Sequence, residues 1–235
     1  TINPHPKSRS VSRRTMEVMR GLGVTDAQLE AISLPATWTK SLIYTTTATG
    51  VEIGRVPCPD FESVPIVDSP STPHMSSQEK YEKVLRDLAD ANTLIEFKVN
   101  STVTGVTQTS QGCELSIEMH DNQRENMHSE YVLFADGASS PARAWLGVTM
   151  SGQHDLATVL DVHFDVDGLT EQVKERFAPL IFVASDAGVG VYQPIDGDSE
   201  WRCQIFAAGQ DLDAEAATNW IRATVGDDSL DIRVR

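Results

Sequence analysis

Hydrophobic residues recur at helical spacing in three parts of the chain, which predicts three amphipathic helices. Gly23 is placed to end the first helix. Ser76 and Glu79 have the spacing of a capping box for the second helix, which puts Gln78 at its second position, among unpaired amides at the positive end of the dipole. The hydrophobic faces consist of Met16, Met19 and Leu22; of Tyr81, Val84, Leu85 and Leu88; and of Ala217, Trp220, Ile221 and Val225.

Three shorter helices are predicted from the residues at their starts. Thr25 and Gln28 have capping-box spacing in "TDAQLEAI". Pro141 stands near the start of "PARAWLGV", a position that proline favours. Thr170 is a candidate cap for "TEQVKERFAPL".

Segments rich in β-branched and aromatic residues lie between the helices and predict strands. The residues 48–50 separate two such runs and indicate a hairpin, and 196–198 indicate a turn. The polar segment "DNQRENMH" is interpreted as a hairpin loop. Strands are expected within residues 39–56, 93–109, 113–120, 129–136, 154–168 and 181–209. The order of elements predicts an α/β fold of the mixed α+β kind, with interleaved layers.

Composition and charge narrow the classes of partner. The chain has 235 residues, of which 40% are hydrophobic and 23% charged, as in a folded protein with a real core. A formal net charge of −15 repels phosphate backbones, so we expect no nucleic-acid partner. The most basic segment, Lys7 to Arg14, is interpreted as the solvated start of a helix.

Other site classes have little support in the sequence. No apolar run approaches the roughly 20 residues of a membrane helix, and the first residues lack a signal-peptide core, so we expect no membrane partner. The three cysteines and six histidines are dispersed, so we expect no metal site. A reduced, cytoplasmic protein is the simplest interpretation.

The segment "FADGASSPAR" leaves a predicted strand through Asp136 and Gly137. Glycine at a strand end lets the backbone approach a ligand closely, and a helix that starts near Pro141 points free amides toward the same place. Asp136 has the chemistry to accept from a ligand hydroxyl, and Arg143 to pair with Asp136 or with a phosphate. Taken alone, these residues fit a phosphate pocket and a plain strand–turn–helix connection equally well.

The wider segment "VLFADGASSPARAWLGV" closely resembles the Asp-Gly motif of the flavin-dependent aromatic hydroxylases, the para-hydroxybenzoate hydroxylase family. Three other segments, "RRTMEVMRGLGV", "SSQEKYEKVLRDLA" and "VYQPIDGDSEWRCQIF", are similar to family segments and stand in the family's order. The resemblance therefore covers nearly the whole chain. The matching motif positions are Asp136, Gly137, Ser140, Arg143, Leu146 and Gly147.

This resemblance implies a monooxygenase that uses FAD, O₂ and NAD(P)H to hydroxylate a phenolic or other aromatic substrate through a flavin C4a-hydroperoxide. It implies cofactor contacts at Gln78, Asp136 and Gly137. Arg14 is a further cofactor candidate, although its neighbour Arg13 is placed to fill the same role. A homodimer is a possible assembly.

The resemblance also implies a division into domains. Residues 1–36 and 76–150 are expected to be portions of a Rossmann-like FAD-binding domain. Residues 37–75 and 151–215 are expected to form a mixed-sheet substrate domain, and residues 216–235 a helix and connector back toward the FAD-binding domain.

Substrate contacts are expected on the strands of the substrate domain. Tyr44 and Tyr192 are the candidates, and His163 and Gln193 are further strand residues that face either the substrate or the core. No residue is assigned as a base.

Two motifs of the family, an opening G-x-G-x-x-G and a later Gly-Asp motif, do not occur in the sequence. We therefore expect the chain to be the interior of a longer enzyme. The alternative is a non-catalytic fragment, or an aromatic-ligand-binding module that does not hold flavin. A halogenase ranks lower, because its Trp-x-Trp-x-Ile-Pro segment does not occur either.

Overall fold

Contacts between residues divide the chain into two units, residues 93–156 and residues 2–92 with 157–235. In this computed structural model the described residues are 5, 7–58, 67–154, 156–206 and 213–235. Helices and strands alternate along both units, so the predicted mixed α/β class is confirmed. The predicted FAD-binding and substrate domains are defined by the ligand that each would bind, whereas the two units are defined by contacts between residues. The division into domains therefore stays a prediction.

The elements have the following bounds. The strands are β1 (Ser10–Val11), β2 (Ser41–Thr45), β3 (Glu52–Pro57), β4 (His74–Met75), β5 (Ser101–Thr109), β6 (Gly112–Met119), β7 (Arg124–Ser129), β8 (Leu160–Val166), β9 (Ile181–Ser185), β10 (Gly188–Pro194), β11 (Glu200–Ile205) and β12 (Ile232–Val234). The helices are α1 (Arg13–Gly21), α2 (Asp26–Glu30), α3 (Gln78–Asp90), α4 (Pro141–Trp145), α5 (Leu169–Val173) and α6 (Ala214–Val225).

A seven-stranded mixed sheet forms the centre of the larger unit, in the order β12-β8-β11-β10-β9-β2-β3. Strands β2 and β9 are parallel, and every other pair of neighbours is antiparallel. The predicted hairpin between β2 and β3 and the predicted turn between β10 and β11 are both present. Asp196 closes that turn, because its carboxylate accepts from the amides of Asp198 and Glu200.

One face of this sheet is buried together with α5 and α6. Phe164, Tyr192, Trp201 and Ile221 are fully buried members of this core. Apolar residues alternate with polar ones along β8 and β11, as expected for strands with one buried face. The C-terminal segment, predicted as a helix and connector, supplies α6 to this core and β12 to the edge of the sheet, where it pairs with β8.

A second hydrophobic cluster joins the first two helices to α3. The capping box of Thr25 and Gln28 is confirmed by both of its hydrogen bonds. The capping box predicted for Ser76 and Glu79 is wrong: the N-cap is Ser77, and the Ser76 hydroxyl donates to the carbonyl of Ile32 at 2.8 Å. The Ser76 hydroxyl is engaged in this tertiary hydrogen bond and does not cap the helix, so α3 begins one residue later than predicted.

The smaller unit contains an antiparallel sheet in the order β5-β6-β7 and the short helix α4. The segment "DNQRENMH" is not a loop, because β7 begins at Arg124 and pairs with β6 along its length. Residues 131–136, part of the strand predicted over 129–136, are outside any strand. A strand needs a hydrogen-bonded neighbour, and no described segment pairs with these residues.

The predicted cap of α5 is wrong. Thr170 does not cap α5: Gly168 is the N-cap, at a φ of 87°, and the Thr170 hydroxyl donates to the carbonyl of Asp198. Within the described ranges, no helix is long and apolar enough to cross a membrane.

Candidate functional site

Asp136 lies just before α4 in the smaller unit and binds the start of that helix. Its Oδ2 accepts from the amide of Ala142 at 3.3 Å. A hydrogen bond from Ser140 lowers the pKa of Asp136, and the Ala142 amide and the charge of Arg143 act in the same direction. The carboxylate is therefore ionised at neutral pH, and it has more lone pairs than these partners use.

Gly137 leaves open space next to this carboxylate. Its φ of +82° is a conformation that glycine adopts without strain, and a Cβ built there would meet no atom within 4 Å. Asp136, Gly137 and Ser140 line a cavity of about 300 Å³ together with Phe134 and Arg143. An ionised acceptor beside unobstructed backbone fits the hydroxyl-bearing part of a cofactor such as FAD.

Arg13 and Arg14 differ in what they contact. The Arg13 Nη1 donates to the carbonyl of Ser71 at 3.0 Å, so this side chain holds a neighbouring segment. The Arg14 side chain is 81% exposed and pairs with Glu17 on the same helix at 3.0 Å. Exposed ion pairs of this kind are weak, so Arg14 is the more accessible of the two for an anionic ligand group.

Gln78 is the first residue of α3 and is half-buried. Its Nε2 donates to the Glu82 carboxylate one turn later, at 2.5 Å. This hydrogen bond fixes the orientation of the Gln78 side-chain amide at the start of the helix. Gln78 and Arg14 belong to the larger unit, whereas Asp136 and Gly137 belong to the smaller one.

The two predicted substrate tyrosines lie on opposite faces of the seven-stranded sheet. Tyr44 is on the face away from α6, 39% exposed, and its ring stacks on Phe182 with centroids 4.8 Å apart. Tyr192 is fully buried, and its hydroxyl contacts Thr224 Oγ1 at 2.6 Å and the Ile221 carbonyl at 3.2 Å. The sheet separates a molecule on the Tyr44 face from the Tyr192 ring. Of the two tyrosines, Tyr44 is therefore the candidate for substrate contact.

His163 and Gln193 are on the same face of the sheet as Tyr44 but are used within the protein. The His163 Nε2 lies 2.7 Å from Glu200 Oε1, and Glu200 also pairs with Arg235 at 3.2 Å. Gln193 accepts a hydrogen bond from Arg9 and donates one to Gln204. Both side chains are thus oriented by defined partners.

Sequence reasoning missed Arg9. The interpretation of Lys7 to Arg14 as a solvated segment is wrong for this residue, because Arg9 is only 6% exposed. Its charge alone gave no signal of burial. In the structure Arg9 immediately precedes β1, a two-residue strand whose Val11 is buried, and this tertiary setting has no local sequence signal.

The chain matches the family described as FAD binding domain over residues 1–234. It belongs to this family. The resemblance to flavin-dependent hydroxylases agrees with the names of its relatives. It is 26% identical to a 2,4-dichlorophenol 6-monooxygenase of Delftia acidovorans over 100% of this chain and 42% of that protein. It is 27% identical to a putative polyketide hydroxylase of Streptomyces halstedii over 98% of this chain and 42% of that protein.

A solved structure has the same fold as this member of the FAD-binding family. The flavin-dependent monooxygenase PieE, determined with FAD and substrate, superposes with a TM-score of 0.89 at 23% identity, over 100% of this chain and 42% of PieE. The chain therefore spans less than half the length of these related proteins.

Proposed function

We propose that the protein, in the form the cell makes it, is an FAD-dependent monooxygenase that hydroxylates a phenolic or other aromatic substrate. One atom of O₂ enters the ring and the other leaves as water, while NAD(P)H supplies two electrons. The observation that carries this proposal is the family match over residues 1–234, with a relative named for a chlorophenol as substrate.

Each unit has its own candidates for contact with FAD or the nicotinamide donor: Asp136 and Gly137 in the smaller unit, Arg14 and Gln78 in the larger one. Asp136 would accept from a hydroxyl, and the open backbone at Gly137 would let the cofactor approach. Arg14 would pair with a phosphate, and Gln78 would offer its oriented amide. Bound flavin supplies the activation of O₂, which no side chain can provide.

The ring of the substrate would lie on the sheet face that carries Tyr44 and Phe182. Two stacked rings, one of them 39% exposed, offer an apolar surface on which a third aromatic ring packs well. Tyr192 would support that surface from the core side of the sheet, where its ring is fully buried and its hydroxyl contacts Thr224 and the Ile221 carbonyl.

The proposal is tested with the purified protein as the cell makes it. We expect the visible absorption bands of oxidised flavin, and NAD(P)H oxidation that a panel of phenols accelerates with formation of hydroxylated product. A colourless protein that takes up no added FAD would favour the alternative of a ligand-binding module. Release of hydrogen peroxide without product, for every phenol, would point to another substrate class.

A further inference from the structure

Arg9 is held in place from two sides. Its Nη1 donates to the carbonyl of Pro179 at 3.1 Å and to Oε1 of Gln193 at 3.0 Å. Gln193 is fixed in turn, because its Nε2 donates to Gln204 Oε1 at 3.1 Å. The guanidinium therefore has a defined position on the face of the sheet that carries Tyr44.

The charge of Arg9 has no counterion within the described part of the chain. Its other terminal nitrogen, Nη2, is buried and has no hydrogen-bond partner there. Its neighbour Arg202 differs, because Asp161 binds that guanidinium through both carboxylate oxygens. Burial and the nearby charge of Arg202 lower the pKa of Arg9 to about 9, so Arg9 is still a cation at neutral pH.

A buried cation without an anion is costly, and proteins seldom keep one without a use for it. Such a group is poised for an anion that arrives with a ligand, because the guanidinium fork matches two oxygens at once. The unpaired Nη2 therefore points to a ligand oxygen that carries negative charge.

The surroundings of Arg9 indicate what else this ligand contains. Arg9 lines a cavity of about 270 Å³ together with Pro179 and Gln193, the two residues that its Nη1 contacts. Leu42, Leu180 and Met75 supply the apolar part of the remaining wall, and the N-terminal segment supplies Lys7, Ser8 and Ser10. Leu42 lies two residues before Tyr44 on β2, so both side chains are on one face of the sheet. A partly apolar wall beside the buried cation of Arg9, with Lys7 also at the cavity, fits an aromatic ring that bears an anionic group.

We propose that Arg9 binds the anionic oxygen of the aromatic substrate, a carboxylate or an ionised phenol, with the ring between Leu42 and Leu180. This inference rests on the proposed function and deepens it, since it assigns a charge to the substrate. Arg9 is thereby a residue that determines substrate specificity. Gln193 is the positioning residue that holds it.

The test measures binding by titration calorimetry, with probes that differ in charge. The pairs are 3-hydroxybenzoate with 3-hydroxybenzamide, and ionised 4-nitrophenol with 4-nitroanisole. We expect wild-type protein to bind at least one anion ten-fold or more tightly than its neutral analogue. Arg9→Met should lose this preference and leave the dissociation constant of the neutral probe unchanged.

Further variants separate charge from folding. Arg9→Gln keeps a donor for Gln193 without the charge, so it should lose the preference as well, whereas Arg9→Lys should keep part of it. Lys83→Met, which removes one exposed positive charge on α3, is the matched control and should bind as wild type does. Equal thermal midpoints would show that the variants are folded.

Three results would overturn the assignment of Arg9. In the first, wild-type protein shows no preference for either anion. In the second, the preference survives in both Arg9→Met and Arg9→Gln. In the third, inorganic pyrophosphate competes with the probes at Arg9, which would mark the site as one for a cofactor phosphate. Flavin content and NAD(P)H oxidation are measured on the same samples. Binding through Arg9 without flavin-dependent oxidation would contradict the proposed function and leave the anion site standing.

Discussion

Asp136 combines two roles in one side chain. It accepts from the first turn of α4, and its low pKa leaves it ionised with acceptor capacity to spare. Since Ser140 independently accepts from the amide of Arg143, α4 does not depend on Asp136 alone. A substitution at Asp136 can therefore test its proposed cofactor contact while the Ser140 cap of α4 remains.

Replacement of Asp136 tests its proposed contact with the cofactor. We expect Asp136→Ala to weaken FAD or NAD(P)H binding ten-fold or more while the protein stays folded, because the variant loses a charged acceptor but keeps the Ser140 cap. Fluorescence titration of FAD and steady-state kinetics measure the effect. Asp121→Ala, which removes an acceptor from an exposed turn, is the control. Wild-type affinity for both ligands would remove Asp136 from the site.

Glu200 makes stability depend on pH. The hydrogen bond from His163, followed by the charge of Arg235, lowers the pKa of Glu200 below its ordinary value of 4.5. A carboxyl whose pKa is lowered by folding stabilises the folded state above its unfolded pKa, and this contribution is lost as the pH falls through the folded value.

We therefore expect Glu200→Gln to be less stable than wild type at neutral pH, and the difference to shrink as the pH falls below 4.5. Urea unfolding from neutral pH to pH 3 or so measures it. Glu171→Gln is the control, because Glu171 is 73% exposed and its pair with Lys174 contributes little. A difference that stays constant with pH would mean that the Glu200 charge is not the cause.

The arginines show what sequence cannot supply at the residue scale. Arg9, Arg13 and Arg14 stand within six positions of one another, yet one is buried, one holds a carbonyl and one faces solvent. Their charges are identical, and only tertiary packing distinguishes them. The Asp-Gly motif was found because its residue types and spacing are themselves the signal.

At the scale of elements, packing of α6 against the sheet fixes the core of the larger unit. Ile221 and Val225 are fully buried in that core, while Arg222 between them is exposed. Because the helix has one apolar face and one polar face, its period was readable in the sequence.

Ile221→Ala should therefore lower the free energy of unfolding by about 2–5 kcal/mol, the usual cost of removing a large aliphatic side chain from a well-packed core. Denaturant unfolding followed by tryptophan fluorescence measures this. Arg222→Ala on the opposite face should change stability by about 0.5 kcal/mol or less. Equal effects of the two substitutions would contradict the observed orientation of α6.

Helices with strong periodicity and most of the strands were predictable, whereas β7 and the unpaired residues 131–136 were not. β7 was missed because its sequence, Arg-Glu-Asn-Met-His-Ser, is polar and is exposed at alternate positions. Residues 131–136 were predicted as strand from their β-branched and aromatic content, but strand formation requires a partner. The start of α3 was misplaced for a related reason, since the Ser76 hydroxyl bonds a carbonyl distant in sequence.

At the scale of the whole molecule, the family follows from the match over residues 1–234. The chain spans 42% of the chlorophenol monooxygenase and 42% of PieE. More than half of each of these related proteins therefore has no counterpart in this chain. Acidic residues outnumber basic ones and give a net charge of −15, yet the buried Nη2 of Arg9 has no partner among the described residues.

The proposed function places one atom of O₂ on an aromatic ring. The most direct measurement supplies isotopically labelled O₂ with NAD(P)H and a phenol that stimulates NAD(P)H oxidation, and analyses the product by mass spectrometry. The account predicts a hydroxylated product with one labelled oxygen atom. A product whose new oxygen comes from water, or NAD(P)H oxidation that never yields a hydroxylated ring, would contradict it.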